Sequence, residues 1–569
     1  MFLIYKERDG NTYATAAVSK RNGEKTSMEY TYIGKVIDKE SNVFFSRKRG
    51  YFTFDVETDT YGCVGESFSP PAMKDGRRRE LRAFDFGDSF LLDSLLWKSG
   101  LWHVIDNARW GNKDSLHSMV IYYMASRLPN RYAQSWYEGN VAHLLYPGAC
   151  MDDTAISSML AQIGRPESLL AYQKAFIDFV LKRFPGDTNI MVESTVIPDK
   201  GRMRLTQLNV HNKASVEARI VVVAQKSTAI PLYFQVLPGS VNDAISLRSV
   251  IEHCRQLGIN VDGCLLDAGY STDINIDEFY NESHECTVEY ITRPKSTAAY
   301  YVKALEEILP SLESKENLVQ YKDRYVFIKH ADVKVGKNSD QPAHLYVGLD
   351  TSALSDELHK LLVRAKQKKL SATQVYEGME NQGIFALLSG KRLDPVDILP
   401  EYYLRQGIEQ LNDISKNYTK LLPARTHSPE TFSGHVLLSM IGTAVIRFMQ
   451  IQINDTEECL GSRIETLCQQ KAIKYESKLV ADPPTKLGND LYKAFKIESP
   501  VSIKIENGKL MNKHPDEVNK LFKVPKKRKP RKGKDESTEL QKNQGEPGNI
   551  PGQEAHTQKQ TNRNSADCA

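Results

Sequence analysis

The fold of this chain is decided by residues 189–200 (NIMVESTVIPDK), 218–225 (ARIVVVAQ), 231–243 (PLYFQVLPGSVND) and 261–269 (VDGCLLDAG). Each contains a short apolar run that predicts a β-strand. Between the third and fourth runs, helical spacing of apolar residues over 245–254 predicts a helix capped by Asn242 or Asp243. The order strand, strand, strand, helix, strand indicates an α/β domain. The first predicted strand ends at Glu193 and the fourth at Asp267, so both carry a carboxylate.

The composition is that of a folded protein with several domains. The chain has 569 residues, of which 41% are hydrophobic and 26% charged, and this length suggests about three or four domains. Eight cysteines in 569 residues are too few for a disulfide scaffold, and the absence of a C-x-x-C pair argues against a structural zinc site. A reducing, cytosolic compartment is the simplest interpretation.

The net charge of +4 is unevenly distributed. Residues 523–534 (KVPKKRKPRKGK) carry eight Lys or Arg and no acid, so the rest of the chain has a net charge of −4. The N-terminus turns charged after five residues, which is unlike a cleavable signal peptide. The longest apolar run, 436–446, is too short to span a bilayer and predicts a buried core helix.

Residues 401–420 (EYYLRQGIEQLNDISKNYTK) have the pattern of an amphipathic helix. At about 100° per residue, one narrow polar stripe holds Tyr402, Arg405, Glu409 and Lys416. The opposite side holds Leu404, Ile408, Leu411 and Ile414. The polar stripe thus places one carboxylate beside two cations and a phenol. An ordinary solvated helix face would show a similar pattern.

The spacing Y-(2)-R-(3)-E-(6)-K of these polar residues resembles the signature of the insertion-sequence-four family of DDE transposases. The segment that follows, 421–441 (LLPARTHSPETFSGHVLLSMI), is also similar to that family. Residues 265–270 (LLDAGY) resemble the family's second-Asp motif, and residues 231–243 upstream are also similar to the family. The resemblance extends over about residues 20–455.

The chain departs from the family at the first carboxylate. Residues 191–195 read MVEST, where the family normally has Asp-Ser-Thr, so Glu193 stands at the first Asp position. Its extra methylene moves the carboxylate by more than about 1 Å, and a misplacement of that size can cost roughly 100-fold in rate. Asp187 and Asp199 are nearby, but neither stands at the predicted strand end. The last tryptophan is Trp136, whereas family members that cleave through a hairpin use a Trp after the second Asp.

The resemblance implies a metal-dependent site for cutting and joining DNA. Three carboxylates supply the hard oxygen ligands that Mg²⁺ prefers, and two Mg²⁺ ions, with Mn²⁺ as an alternative, serve phosphodiester chemistry. By the resemblance, Asp267 bridges both ions, Glu193 holds one and Glu409 the other.

The resemblance also implies DNA contacts. Arg405 and Lys416 would bind phosphates beside the scissile bond, and Tyr402 would contact a phosphate or the terminal nucleotide. A basic cluster at 77–82 is either a solvated loop or a second DNA-backbone contact. The basic tail is either a flexible DNA-binding arm or a solubilising segment.

The implied fold is an RNase H-like α/β core with an inserted β-rich domain, an N-terminal DNA-binding region and a disordered basic tail. The predicted boundaries are 1–112 for the N-terminal DNA-binding region, 113–186 for a helical region, 187–290 for the first part of the core, 291–390 for the β-rich insertion, 391–455 for the second part of the core, 456–522 for a C-terminal helical region and 523–569 for the tail.

The sequence therefore predicts a transposase that binds terminal inverted repeats, cleaves the ends of its element and joins the 3′ ends to target DNA. The expected partners are DNA and a second copy of the chain in a homodimer, with no membrane, and the expected location is the cytoplasm, at the nucleoid. Because Glu193 replaces an Asp, an inactive or repurposed DNA-binding derivative stays open, as does a nuclease of the same fold that does not transpose.

Overall fold

The computed structural model describes residues 1–8, 10–22, 25–65, 68, 82–198, 203–208, 216–379, 382–453, 460–507 and 509–511. All of them belong to one compact unit. Asp199, the arginines at 77–79 and the basic tail lie outside the described residues, so the predictions made for them stay predictions.

The chain begins with a six-stranded antiparallel sheet in which each strand pairs with the next. Its strands are β1 (Phe2–Arg8), β2 (Asn11–Asn22), β3 (Lys25–Asp38), β4 (Val43–Ser46), β5 (Gly50–Asp55) and β6 (Thr60–Cys63). Burial alternates along β5, as expected for a sheet with one covered face. The buried side chains, Ala14, Ala16, Ile33, Phe44, Phe52 and Phe54, form a small core of their own.

A helical layer follows. It covers the predicted helical region 113–186 and begins before it, at Gly87. After β7 (Arg82–Asp85) come α1 (Gly87–Ser99), α2 (Leu101–Ile105), α3 (Lys113–Ala125), α4 (Ala133–Gly139), α5 (Ala142–Leu145), α6 (Asp153–Ile163) and α7 (Pro166–Arg183). The Asp152 side chain accepts a hydrogen bond from the Ala155 amide at 3.1 Å and thereby caps the beginning of α6. Trp102 and Trp110 are buried and belong to the main hydrophobic core.

The central segment contains the four predicted strands and the predicted helix. Its elements are β8 (Asn189–Pro198), β9 (Gln207–Leu208), β10 (Val216–Gln225), β11 (Pro231–Pro238), α8 (Asp243–Gln256), β12 (Gly263–Leu266), α9 (Asp273–Asp277), β13 (Glu289–Thr292), α10 (Ala299–Leu312), β14 (Leu318–Tyr321), β15 (Arg324–Val335), β16 (Gln341–Asp350), α11 (Thr351–Lys368), α12 (Ala372–Met379) and β17 (Ile384–Ser389). Asn242 is the cap of α8, because its side chain accepts from the Ile245 amide at 3.0 Å.

These strands form one mixed sheet in the order β11-β10-β8-β12-β13-β17-β16-β15-β14, with β9 paired to β10. The pairs β8–β12 and β12–β13 are parallel, and the other pairs along the sheet are antiparallel. The segment 291–390, predicted as a β-rich insertion, contributes β14 to β17 to this same sheet. Its strands therefore extend the sheet that carries the first two carboxylates.

The helices after the sheet are α13 (Pro395–Tyr403), α14 (Gln406–Asn417) and α15 (Pro429–Ile453). The prediction of one helix over 401–420 is wrong, because a turn at Leu404 and Arg405 separates α13 from α14. Leu404 is consequently 41% exposed, although the continuous-helix pattern placed it on the buried side. The other three apolar residues of that side, in α14, are buried as predicted.

Helix α15 contains the apolar run 436–446 and is long and apolar enough to cross a membrane by length and composition alone. However, 78% of its most apolar window is buried, where it packs against α6 and α3. The prediction of a core helix agrees with this burial.

The last described segment combines helices with strands. It contains α16 (Leu460–Leu467), β18 (Lys471–Lys474), β19 (Lys478–Ala481), α17 (Lys486–Ala494), β20 (Ser502–Glu506) and β21 (Lys509–Leu510). With β7 the four strands form a five-stranded sheet in the order β21-β20-β19-β18-β7. A purely helical region over 456–522 is thus wrong. Pairing of β18 with β7, almost 400 residues earlier in the chain, stabilises strands too short to show a clear local pattern.

Candidate active site

The first two carboxylates lie side by side because of the parallel pairing of β8 with β12. Leu266, the last residue of β12, is paired with Val192. Asp267 follows Leu266 along the chain, and Glu193 follows Val192. Since parallel strands run in the same direction, this register places both carboxylates at the same level of the sheet. The sequence predicted each at a strand end without fixing their relative register. This is wrong for Glu193, because β8 continues to Pro198 through its pairing with β10.

The third carboxylate comes from α14, which lies against β8. Gly407, in the first turn of α14, makes this approach close. A Cβ at this position would lie 2.7 Å from the Ala229 Cβ and 3.7 Å from the Met191 Cε. The missing side chain therefore allows the beginning of α14 to pack beside the strand that carries Glu193. Glu409 follows in the first turn of the same helix.

The Arg405 guanidinium joins all three carboxylates. Its Nη2 donates to Glu409 Oε1 at 2.5 Å. Its Nη1 lies 3.5 Å from Asp267 Oδ1 and 3.7 Å from Glu193 Oε2. The last two distances are those of ion pairs without a hydrogen bond. Side chains from β8, the end of β12 and α14 thus meet around one cation, and the three carboxylates chosen from the sequence are brought together.

Burial changes the protonation of Glu193. Its side chain is 17% exposed, whereas the side chains of Asp267 and Glu409 are about half exposed. Burial raises the pKa of Glu193 from 4.5 to about 7, since a low dielectric disfavours the charged form. The neighbouring positive charge of Arg405 lowers this pKa but does not cancel the effect of burial.

Two polar atoms at this cluster are buried without a hydrogen bond: Glu193 Oε2 and Arg405 Nη1. Buried polar atoms normally have a partner, so an orphaned carboxylate oxygen calls for a ligand or water. An oxygen-binding cation would satisfy Glu193 Oε2. Three carboxylates are also the donor set that Mg²⁺ or Mn²⁺ prefers. The residue types therefore fit a divalent metal, and the side chains would have to move towards it, because their oxygens do not all lie within 4.8 Å of one another.

The two other predicted DNA-binding residues lie in different surroundings. Lys416, in the last turn of α14, lies close enough to Glu193 for its charge to lower the pKa of that residue, although burial is the dominant influence. Tyr402 is only 3% exposed and its hydroxyl has no hydrogen-bond partner. It lines a cavity of about 260 Å³ together with Arg293, whose guanidinium lies 5.5 Å from the Tyr402 ring centre.

Arg293 is a cation of this region that the sequence reasoning missed. It directly follows β13, the parallel neighbour of β12. Because the carboxyl ends of parallel strands meet at one edge of a sheet, a polar residue after this strand could have been singled out. The chain reads Ile291-Thr292-Arg293 there, and β13 was not recognised as a core strand.

A group of hydrogen-bonded side chains that the sequence did not reveal holds β8 in place beside Glu193. The Ser194 hydroxyl donates to Asp243 Oδ1 at 2.5 Å. Arg219 Nη1 donates to both, at 2.8 Å to Ser194 Oγ and 2.5 Å to Asp243 Oδ1. The Arg219 side chain is only 7% exposed. The sequence assigned Asp243 to a helix cap, whereas in the structure it ties α8 to β8 and β10.

Comparison with known proteins bears on the class of protein to which this chain is similar. No curated protein sequence matches the chain. Among solved structures it is similar to the "piggyBac transposase synaptic complex with hairpin DNA", with 10% sequence identity, a TM-score of 0.35, and coverage of 72% of this chain and 77% of that chain. Residues 200–443 match the family described as "Transposase DDE domain". The matched range contains Asp267 and Glu409 and begins just after Glu193, and this match supports a DDE transposase.

Proposed function

We propose that this chain is a DNA transposase of the insertion-sequence-four type with an RNase H-like core. It binds the terminal inverted repeats of its element, cleaves the ends and joins the 3′ ends to target DNA. The observation that carries the proposal is the convergence of Glu193, Asp267 and Glu409 from three separate elements. The match of residues 200–443 to a transposase DDE domain supports the same function.

The three carboxylates would hold the metal. Two Mg²⁺ ions, or Mn²⁺ in their place, would activate the attacking oxygen and stabilise the leaving one. The resemblance to the transposase family implies that Asp267 would bridge both ions, with Glu193 holding one and Glu409 the other. Glu193 must be deprotonated to act as a ligand, so metal binding would release its proton.

Arg405 has two roles in this proposal. Without metal its guanidinium offsets the mutual repulsion of the three carboxylates. With the carboxylates engaged by metal, the same guanidinium can bind a DNA phosphate, which is the role that the sequence suggested. Lys416 supplies a second cation for the phosphate backbone. Tyr402 and Arg293 border the cavity beside the site, where an end nucleotide would pack.

The remaining predictions belong to the same proposal. The N-terminal region contributes DNA binding, and the basic tail adds contacts that depend on salt. The active assembly is a homodimer on DNA that works at the nucleoid in the cytoplasm, without a membrane. The predicted segment boundaries serve as the first guide for truncation experiments.

The alternative is a transposase-derived DNA-binding protein that has lost catalysis. Two observations favour it: Glu193 replaces the usual Asp, and burial raises its pKa to about 7, so a large fraction is protonated at neutral pH. A nuclease of the same fold that cuts but does not join is distinguished by its products.

The test is cleavage of a duplex that carries the element's own end, taken from the DNA flanking the gene, with Mg²⁺ or Mn²⁺. We expect Asp267→Asn, Glu409→Gln and Glu193→Gln each to reduce cleavage by about 100-fold or more. The matched control is Asp397→Asn, which changes an exposed carboxylate on α13 and should leave cleavage unchanged.

The outcomes separate the candidates. Loss of activity in Glu409→Gln with normal activity in Glu193→Gln would remove Glu193 from the site. An inactive native chain that becomes active as Glu193→Asp would establish the alternative of a decayed enzyme. With a donor plasmid, joined ends identify a transposase, whereas cut ends alone identify a nuclease.

A further inference from the structure

Two histidines and an aspartate meet on the hairpin formed by β15 and β16. His330 and Asp332 are two residues apart on β15, so their side chains project from the same face of the sheet. Asp332 is paired directly with His344 of β16. The backbone pairing therefore fixes three potential metal ligands on one face without requiring any loop to order.

The distances between the ligand atoms match a tetrahedral metal site. Asp332 Oδ1 lies 2.9 Å from His344 Nδ1 and 3.3 Å from His330 Nε2. The two ring nitrogens are 3.2 Å apart. In a tetrahedral zinc site with bonds of about 2.0–2.1 Å, neighbouring ligand atoms are separated by about 3.3 Å. The three atoms thus already occupy one triangular face of such a tetrahedron.

We propose that His330, Asp332 and His344 form a Zn²⁺ site that links β15 to β16, with a water molecule as the fourth ligand. The site contains no cysteine, which is why cysteine spacing could not reveal it. It is separate from the carboxylate cluster, because β16 lies three strand spacings, about 14 Å, from β12. The zinc proposal consequently does not depend on the proposed function.

The two histidines of the site are mostly buried, and the side at Asp332 is open to solvent. The side chains of His330 and His344 are 15% and 23% exposed, whereas Asp332 is 72% exposed. The His330 ring packs against Tyr346, with ring centres 5.1 Å apart. This packing holds the His330 ring, and the open side, where the carboxylate is exposed, is where the ion and its water would enter.

The ligand chemistry favours zinc over magnesium. Imidazole nitrogen binds Zn²⁺ and related transition metals well, whereas Mg²⁺ requires oxygen ligands. One nearby charge opposes any cation: Arg392, whose charge is felt by both His330 and Asp332. Removal of this positive charge should therefore strengthen zinc binding.

The experiment is calorimetric titration of the full chain with Zn²⁺ after dialysis against a chelator, together with thermal unfolding in the presence and absence of the ion. We expect one Zn²⁺ to bind at this site and to raise the Tm, and we expect the same concentration of Mg²⁺ not to compete for it. Asp332→Ala and His344→Ala should weaken this binding by about tenfold or more, and Arg392→Ala should tighten it.

His359→Ala is the matched control, since it removes a histidine from the exposed side of α11 and should leave zinc binding unchanged. Asp332 is exposed, so its replacement keeps the test valid even if His344→Ala fails to fold. The proposal is overturned if the native chain binds no zinc, or if Asp332→Ala binds zinc as the native chain does. The zinc titration does not depend on DNA cleavage. Failure of the zinc proposal can therefore be distinguished from failure of the transposase proposal.

Discussion

The raised pKa of Glu193 predicts that, without divalent metal, the protein becomes less stable as this carboxyl ionises. In the unfolded chain this carboxyl titrates near 4.5, and in the folded chain near 7. The folded state thus binds the proton more tightly than the unfolded state. The stability gained from this difference is fully present below pH 4.5 and is lost as the pH rises through 7.

The magnitude follows from the pKa difference. A shift of one pKa unit corresponds to about 1.36 kcal/mol, so the rise to about 7 makes ionised Glu193 destabilising by at most about 3 kcal/mol at pH 8. At pH 5 the same group costs roughly 1 kcal/mol, because it is still protonated in the folded chain. Glu193→Gln keeps the shape and removes the ionisation. The variant should therefore be more stable than the native chain, and by more at pH 8 than at pH 5.

The assay is thermal unfolding of both proteins in chelator at pH 5 and pH 8, followed by circular dichroism. The expected result is a higher Tm for Glu193→Gln at pH 8, by a few degrees at most in a chain of this size, and a smaller difference at pH 5. A Tm difference that is equal at the two pH values would refute the reasoning. So would a variant that is less stable than the native chain at pH 8, because Glu193 would then be stabilised as an anion by Arg405.

Three further predictions concern stability away from the carboxylates. Burial lowers the pKa of His435 from 6.5 to about 4, so stability should fall by up to about 3 kcal/mol as the pH drops from 6.5 to 4; urea unfolding over this range should show less pH dependence in His435→Gln. Gly164→Ala should lower the Tm markedly, because its Cβ would lie 1.9 Å from the Glu430 carbonyl oxygen where α6 meets α15; Gly139→Ala, with nothing within 4 Å, is the control, and equal Tm values for the two variants would contradict the close contact. Asp152→Ala should lower the free energy of unfolding in urea by about 1 kcal/mol, because the cap of α6 is lost. Asp152→Asn should keep most of that stability, since Asn also caps helices well. Equal losses in the two variants would mean that the charge and not the cap matters.

Much of the central sheet could be predicted from local sequence. The runs that become β8, β10, β11 and β12 are apolar and bounded by turn residues, so their type follows from composition and length. Their order in the sheet could not be read in the same way, because pairing joins strands distant in sequence. The same limit explains β18, which is stabilised by β7 and has no strong local pattern of its own.

The polar stripe around Glu409 shows which part of a site the sequence can define. Residue types and spacing pointed to Tyr402, Arg405 and Lys416 beside this carboxylate. The assumption of one straight helix was wrong at Leu404, where the chain turns. Tyr402 lies near the end of α13 and is buried, while Arg405 lies in the turn and directly precedes α14. Spacing singled out these residues, but the break between the helices determines where their side chains lie.

Arg405 makes one contact that the local sequence predicts and two that depend on the tertiary structure. Its pair with Glu409 is four residues along one chain and was accessible from sequence, since such pairs are neighbours at a helix surface. Its ion pairs with Glu193 and Asp267 depend on the register of β8 against β12 and on the close approach allowed by Gly407. The cation assigned to DNA from its position in a motif is, in the folded chain, the counter-ion of the carboxylates. Any ion that binds these carboxylates must therefore compete with Arg405, and the strength of that competition is set by the sheet register and not by the motif.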